Sequence, residues 1–169
     1  PKGVVLTHGN ILANAEGATQ AARFSEQDTS LSWMPLTHDM GLIGFHLMMM
    51  YAGVRQYLMP TDLFVRRALL WMRFAAARRV TLTCSPNFGY RHFLRALEGK
   101  GLDGADLSAI RLIFNGAEPI SVELAGEFLD APAEHAAGGG RDEAQLPFAV
   151  DDRDDVGGVA QQRGELRLR

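Results

Sequence analysis

Hydrophobic residues recur along the first 130 positions in two alternating patterns, short continuous apolar runs and longer amphipathic stretches. The short runs predict buried strands, and the longer stretches, whose apolar positions follow the helical period, predict helices. Strands are expected at residues 3–6, 30–34, 54–59, 80–84 and 110–114. Helices are expected at residues 10–23, 42–51, 61–79, 87–99 and 122–129. Strands that alternate with helices across short connections predict an α/β fold, with a mostly parallel sheet and helices on both of its faces.

The pattern changes after about residue 130. Residues 131–169 are rich in Ala, Gly, Asp and Arg, and their large apolar side chains are too sparse to form a buried face. We therefore expect two regions, an α/β region over 1–130 and a low-complexity, disordered tail over 131–169. A shifted reading frame in GC-rich DNA would also give a sequence of this composition.

Composition and charge exclude several classes of protein. The chain has 169 residues and a net charge of −3, with no basic stripe, so no nucleic-acid binding is expected. Its one cysteine, Cys84, excludes an internal disulfide and a cysteine-based zinc site, and its apolar neighbours predict a buried thiol. The most apolar stretch, residues 40–53, is shorter than the about 20 residues that span a bilayer. With no secretory signal at the start, a cytoplasmic protein is expected.

An adjacent His38–Asp39 pair lies within "PLTHDMGLIG", residues 35–44. Imidazole and carboxylate can share a metal ion, but His46 and His92 do not complete a recognisable ligand spacing. A position at the start of a helix is the favoured interpretation, and no metal ligand is predicted. At that position His38 could also line the mouth of a pocket.

The stretch "FNGAEPI", residues 114–120, ends an apolar strand with a turn that carries Glu118 and Pro119. Open α/β sheets hold their ligands at the carboxyl ends of the strands, so this turn is either a binding element or a solvent-exposed connector. Lys2 could contact phosphate or lie on the surface. No complete phosphate loop and no catalytic triad can be found, so no catalytic residue is predicted.

Four motifs, "PKGVVLTHGNILAN", "LSWMPLTHDMGLIG", "CSPNFGY" and "FNGAEPI", follow one another at suitable spacing. Together they resemble the AMP-binding, adenylate-forming enzyme superfamily from residue 1 to about 129. Within it, "HDMGLIG", "PNF" and "NGAEP" resemble the fatty acyl-AMP ligases and the acyl-loading domains of polyketide and peptide synthases.

The resemblance implies an enzyme that joins a fatty acid to ATP with release of pyrophosphate and passes the acyl adenylate to an acyl carrier protein or to CoA. It implies ATP and Mg²⁺ as cofactors. It places Lys2 near the triphosphate and His38 near the substrate carboxylate. The residues that it places around the adenine are Gly116, Ala117, Glu118 and Pro119.

The sequence departs from the family pattern at several essential motifs. The start of the phosphate loop, the acid that helps to hold Mg²⁺ and the C-terminal catalytic lysine are not found. The chain alone is therefore expected to release no pyrophosphate from ATP and a fatty acid. The resemblance therefore identifies residues 1–130 as part of the N-terminal, AMP-binding domain of a fatty acyl-AMP ligase. The alternatives are a non-catalytic remnant, or a fragment of an acyl-CoA synthetase or of a peptide-synthetase adenylation domain.

Overall fold

The computed structural model of the chain describes residues 3–135 and 148–150. Its strands are β1 (Thr29–Ser32), β2 (Arg55–Leu58), β3 (Leu82–Ser85), β4 (Leu112–Asn115) and β5 (Phe148–Val150). Its helices are α1 (His8–Ala22), a π-helix (Met40–Leu47) that continues into α2 (Met48–Tyr51), α3 (Thr61–Arg66), α4 (Leu69–Ala77), α5 (Asn87–Leu97) and α6 (Val122–His135).

The five strands form one parallel sheet in the order β2-β1-β3-β4-β5. Parallel strands in neighbouring positions place their carboxyl ends along the same edge, so the segments that follow β1, β3 and β4 leave the sheet side by side. The predicted α/β fold with a mostly parallel sheet is confirmed.

Helices cover both faces of the sheet, as neighbouring residues of β3 show. Thr83 accepts a hydrogen bond from the indole N–H of Trp71 on α4, at 2.9 Å. Cys84 points to the opposite face, because side chains alternate along a strand. Its neighbour Phe114 on that face packs its ring 5.6 Å from that of Phe45 in the π-helix. The predicted layers are therefore confirmed.

The core on the α4 face is a cluster of aromatic rings. Trp71 lies 5.7 Å from Tyr90, 5.9 Å from Phe93 and 5.7 Å from Phe128, so α4, α5 and α6 share one buried surface. Each of these side chains is almost completely buried. Rings of this size bury about 150–250 Å² each, which makes this cluster the main source of hydrophobic stabilisation on that face.

Cys84 is completely buried, as predicted, and burial raises the pKa of its thiol to about 12. A protonated, inaccessible thiol is a poor nucleophile, so Cys84 acts as a small apolar side chain of the sheet.

Two predicted elements are wrong. Residues 3–6 form no strand, and Val4 and Val5 are 77% and 95% exposed, because an apolar run becomes a strand only where it pairs with a neighbour. The helix expected over 61–79 is broken between α3 and α4, where Arg67 leaves the helical conformation at φ −143°. Within α3, Phe64 stacks on Trp33 with ring centroids 3.9 Å apart.

The fifth strand lies within the segment for which weak order was expected. Phe148–Val150 pairs with β4, and α6 continues beyond residue 130 to His135. Composition gave no signal for this strand. The other residues from 136 onward lie outside the described part of the chain, so the boundary between an α/β region and a tail stays a prediction.

The amino ends of the strands are joined by an ion pair that is largely buried. Arg111 donates two hydrogen bonds of 2.7 Å to the carboxylate of Asp28, and the hydroxyl of Thr81 donates a third at 2.7 Å. Arg111 also donates to the carbonyls of Ala22 and Arg23 at the end of α1. One guanidinium therefore ties the end of α1 to the loop before β1 and to the start of β4.

The carboxyl group of Asp28 is held in its charged form. Burial by itself would raise the pKa of Asp28, but the hydrogen bonds from Arg111, Thr81 and the Ser25 N–H outweigh it, and the pKa is lowered. The native structure therefore favours the ionised carboxylate.

No helix in the described part of the chain is long and apolar enough to cross a membrane.

Candidate functional site

The His38–Asp39 pair lies at the start of the π-helix, after the chain has left β1. The N–H of Met40 lies 2.8 Å from Asp39 Oδ1 and 3.1 Å from His38 Nδ1, so both side chains cap the helix. The side chain of His38 is 42% exposed and its Nδ1 lies 2.9 Å from the Asp39 carboxylate. The predicted position at a helix N-terminus is confirmed, and it leaves part of the imidazole open to a ligand.

Gly41 allows the π-helix to begin directly against the preceding loop. A Cβ atom at this position would lie 2.3 Å from the carbonyl oxygen of Pro35, well inside van der Waals contact. Because only glycine fits there, Gly41 fixes how His38 and Met40 are presented at the sheet edge.

The post-β4 turn (residues 116–121) follows the last residue of β4. Gly116 is buried, while Glu118 and Pro119 are exposed. Ala117 adopts the left-handed conformation with φ 71°, which costs a residue with a side chain on the order of 1–2 kcal/mol. The strain therefore falls on Ala117 and not on the glycine. Strain of this kind persists only where the surrounding structure imposes it, and it is frequent at binding sites.

The π-helix and the post-β4 turn meet at the carboxyl edge of the sheet. A Cβ atom on Gly116 would lie 3.3 Å from the Cε atom of Met40, so the methionine covers the glycine directly. The rings of Phe45 and Phe114 pack below this contact. The structure therefore brings together the segments that carry His38 and Glu118, although they are far apart in sequence.

A third segment, the start of α5, holds the post-β4 turn from behind. The Asn87 side chain donates to the carbonyl of Pro119 at 2.6 Å and accepts from the Asn115 side chain at 2.8 Å. The backbone N–H of Phe88 donates to the carboxylate of Glu118 at 3.1 Å. Glu118, predicted to flank an adenine, therefore also caps the first turn of α5.

The sequence interpretation gave Asn87 no role, although it lies in the quoted "CSPNFGY" motif. The signal for it was an amide directly after a proline at the start of a helix. Asn87 is only 7% exposed, and a buried amide must find hydrogen-bond partners.

One buried acceptor at this edge has no partner in the described part of the chain. Because Asn87 uses its nitrogen for Pro119, its oxygen faces the nitrogen of Asn115, and the Asn115 oxygen is left without a donor. The indole N–H of Trp33, which follows β1, is also buried without an acceptor there. A buried polar atom without a partner costs about 1–3 kcal/mol, so this edge is not optimised for stability alone.

The described residues do not form a magnesium site by themselves. No group of three or more His, Cys, Asp or Glu side chains in that part of the chain is arranged to hold a metal ion. Lys2, predicted to contact phosphate, lies outside the described residues.

Two clefts lie elsewhere on the surface and include none of the predicted site residues. One, of about 360 Å³, lies between α5 and α6 and is lined by Arg91, Arg95, Glu123 and Glu127 among others. The other, of about 480 Å³, lies beside α4 and is lined by Arg66, Arg67, Arg73 and Lys100 among others. The carboxyl edge of the sheet is instead marked by its converging motifs and by a buried acceptor that has no partner among the residues that the structure describes.

The sequence matches the AMP-binding enzyme family over residues 1–160. It is 33% identical over 129 residues to the medium-chain-fatty-acid–[acyl-carrier-protein] ligase JamA of Moorena producens, covering 76% of this chain and 22% of that protein.

Two solved structures share both fold and sequence with the chain. A fatty acyl-adenylate ligase from L. pneumophila, in complex with acyl adenylate and pyrophosphate, is 33% identical with a TM-score of 0.77, covering 88% of this chain and 25% of that one. The adenylation domain of a keto acid-selecting NRPS module, bound to keto acyl adenylate, is 32% identical with a TM-score of 0.69, covering 83% of this chain and 26% of that one. The chain thus spans about a quarter of the length of these proteins.

Proposed function

Because the chain belongs to the AMP-binding enzyme family, we propose that it is part of a ligase that activates a fatty acid with ATP to an acyl adenylate. The observation that carries this proposal is the contact between Met40 and Gly116, which joins the His38 segment and the post-β4 turn at one edge of the sheet. The likeness to a fatty acyl-adenylate ligase and to a medium-chain fatty acid ligase supports a fatty acid as substrate.

The post-β4 turn is the proposed adenine site. Gly116 and Ala117 have little or no side chain, so a planar ring can approach their backbone, and Glu118 and Pro119 border the approach from the solvent side. The Asn115 oxygen behind the turn, which has no partner within residues 3–135 and 148–150, supports an edge that keeps polar groups for a ligand. ATP, when bound, supplies the AMP group and the pyrophosphate leaving group.

His38 is the proposed contact for the substrate carboxylate. Its imidazole is part-exposed at the same edge, and its Nδ1 faces the Met40 N–H and the Asp39 carboxylate, so Nε2 is the nitrogen that a ligand would meet. An imidazole held in this orientation would position a carboxylate for attack on a phosphoryl group by donating a hydrogen bond to it. Lys2 is the proposed phosphate contact.

The acceptor is proposed to be an acyl carrier protein, because the JamA ligase is named for that acceptor, with CoA as the alternative. A cytoplasmic location and the use of Mg²⁺ remain part of the proposal.

A second candidate, an adenylation domain that selects keto acids, is favoured by the nearly equal identity of the NRPS structure. Both candidates share the adenylate and differ in the acid. Binding of different acyl groups, and not of the nucleotide, therefore distinguishes the two candidates.

The proposal is tested by titrating the ¹⁵N-labelled chain with AMP, with a non-hydrolysable octanoyl-adenylate analogue and with the matching keto acyl analogue. We expect AMP to shift the amide resonances of residues 116–118 only, since Pro119 has no amide N–H. The octanoyl analogue should also shift those of residues 38–41 and bind more tightly than the keto acyl analogue. Shifts confined to the clefts beside α4 or between α5 and α6 would contradict the proposed site, and tighter binding of the keto acyl analogue would favour the second candidate.

A further inference from the structure

The side chain of Asn87 fastens the post-β4 turn from behind. Its nitrogen donates to Pro119 O at 2.6 Å, and its oxygen accepts from the Asn115 side chain at 2.8 Å and from the Ser121 N–H at 3.4 Å. We propose that Asn87 is a positioning residue that sets the conformation of this turn, and that adenine recognition depends on it. This inference rests on the function proposed above.

The turn needs contacts from outside residues 116–121, because its own sequence does not fix its conformation. Ala117 would leave the left-handed region in a free peptide, and Gly116 restricts its neighbours little. The hydrogen bonds of Asn87 to Asn115, Pro119 and Ser121 fix the backbone on both sides of Gly116 and Ala117.

The hold is rigid because α5 is itself anchored to the sheet. The hydroxyl of Tyr90 donates to the carbonyl of Phe114 at 2.7 Å, and the Tyr90 ring is completely buried. Gly89 lies so close to β3 and Trp33 that a Cβ atom there would be 2.2 Å from Ser85 Oγ. The start of α5 therefore cannot shift relative to β3 and β4 without disturbing the core.

Asparagine is the side chain that this position requires. It combines a donor for the carbonyl of Pro119 with an acceptor for the N–H groups of Asn115 and Ser121 in one short side chain. An ionised aspartate has the same shape but only acceptors, so it would place a carboxylate oxygen against the Pro119 carbonyl. Asn87→Asp therefore removes the donor and keeps the volume.

The experiment uses the whole 169-residue chain, ¹⁵N-labelled, with AMP and GMP as probes. The variants are Asn87→Ala and Asn87→Asp. Asn10→Ala is the matched control, because it removes the amide that accepts the Thr7 N–H at 2.9 Å near the start of α1, away from the turn. Amide resonances and the ratio of AMP to GMP affinity are measured on each.

We expect the wild-type chain to prefer AMP to GMP. In both Asn87 variants the AMP affinity should fall about tenfold, which corresponds to the loss of one hydrogen bond worth about 1.4 kcal/mol. The ratio of AMP affinity to GMP affinity should approach one. The resonances of residues 116–118 should shift, while those of the α4 face stay in place. Asn10→Ala should change neither the ratio nor the turn.

The outcomes separate this inference from the proposed function. A wild-type chain without any preference for AMP would contradict adenine recognition by the turn, and this inference with it. A wild-type preference that survives in the Asn87 variants, while the resonances of residues 116–118 move, would overturn this inference alone. If Asn87→Ala does not fold, Asn87→Asp gives the deciding measurement, since its side chain occupies the same volume.

Discussion

The two edges of the parallel sheet are built differently. At the amino edge, Asp28, Thr81 and Arg111 satisfy one another, and Arg111 also satisfies carbonyls at the end of α1. At the carboxyl edge, Ala117 is strained and the Asn115 oxygen has no partner in the described part of the chain.

The two edges of the sheet thus differ in how completely their buried polar groups are paired. The amino edge joins elements distant in sequence with charge-assisted hydrogen bonds, which are roughly twice as strong as neutral ones. Left-handed residues occur at both edges, Arg23 and Arg79 at the amino edge and Ala117 at the carboxyl edge. The carboxyl edge differs in its buried polar atoms, because in the described part of the chain the Asn115 oxygen and the Trp33 indole N–H have no partner, which reduces stability. Substitutions at the two edges should therefore have different consequences.

The largest effect is expected from Arg111→Ala at the amino edge. It leaves the Asp28 carboxylate, whose side chain is 5% exposed, without its main partner. Loss of one partner of a buried pair costs about 3–5 kcal/mol, and we expect about 3 kcal/mol because Arg111 is itself 35% exposed. Urea unfolding followed by circular dichroism measures this change.

Arg66→Ala is the control, because it breaks an ion pair with Asp62 in which both side chains are about 70% exposed. Exposed pairs contribute about 0–1 kcal/mol, so the control should barely change the unfolding midpoint. Equal losses in the two variants would show that the amino edge is not the stabilising one.

The next effect concerns Gly41→Ala at the carboxyl edge. The added Cβ would lie 2.3 Å from the Pro35 carbonyl, so the start of the π-helix has to move. Overpacking of this kind costs about 1–3 kcal/mol, and nucleotide binding should weaken as well because Met40 shifts on Gly116. Thermal unfolding and AMP titration test both parts.

Gly44→Ala lies in the same π-helix and is the matched control. A Cβ at that position would meet nothing within 4 Å, so the variant should keep its AMP affinity and lose no stability, with a gain of up to about 1 kcal/mol from the higher helix propensity of alanine. A loss in Gly44→Ala as large as that in Gly41→Ala would point to helix backbone effects and away from the Pro35 contact.

The pH dependence of stability should report the amino edge. The pKa of Asp28 is lower in the folded than in the unfolded chain, where a free aspartate titrates near about 3.9. Its contribution to stability is therefore fully present above about pH 4 and is lost as the pH falls through the folded pKa. Urea unfolding between about pH 6 and pH 3 should show a steeper loss in the wild type than in Asp28→Asn. Parallel curves would contradict this assignment.

The helices and strands around the site could be predicted from sequence, while its side-chain contacts could not. Apolar runs at 30–34, 80–84 and 110–114 correspond to β1, β3 and β4, because central strands are buried on both faces. The run at residues 3–6 was equally apolar but has no paired strand. Pairing is a tertiary property that a local pattern does not contain.

The site residues were predicted from motifs, and their roles as ligand contacts stay predictions. The resemblance placed His38 near the substrate carboxylate and Glu118 beside the adenine, and the contact of Met40 with Gly116 brings the segments that carry them together. The strain at Ala117 and the bonds of Asn87 were not predicted, since both depend on how α5 packs behind β4. Sequence spacing identified the segments that meet, and packing decided which atoms touch.

The smallest effect is expected from Ala117→Gly in the post-β4 turn. Glycine relieves the left-handed strain, worth about 1–2 kcal/mol, but increases the entropy of the unfolded chain by about 0.4–1 kcal/mol. The net result should be a stabilisation of roughly 0.5 kcal/mol, together with weaker AMP binding because the turn gains freedom. Ala13→Gly, at an exposed position of α1, should instead lose up to about 1 kcal/mol, as glycine does within a helix. Chemical unfolding and AMP titration on both variants measure the difference. A destabilised Ala117→Gly would show that the left-handed conformation of this alanine costs less than expected, and the contrast between the two edges of the sheet would then rest on the Asn115 oxygen and the Trp33 N–H, which have no partner in the described part of the chain.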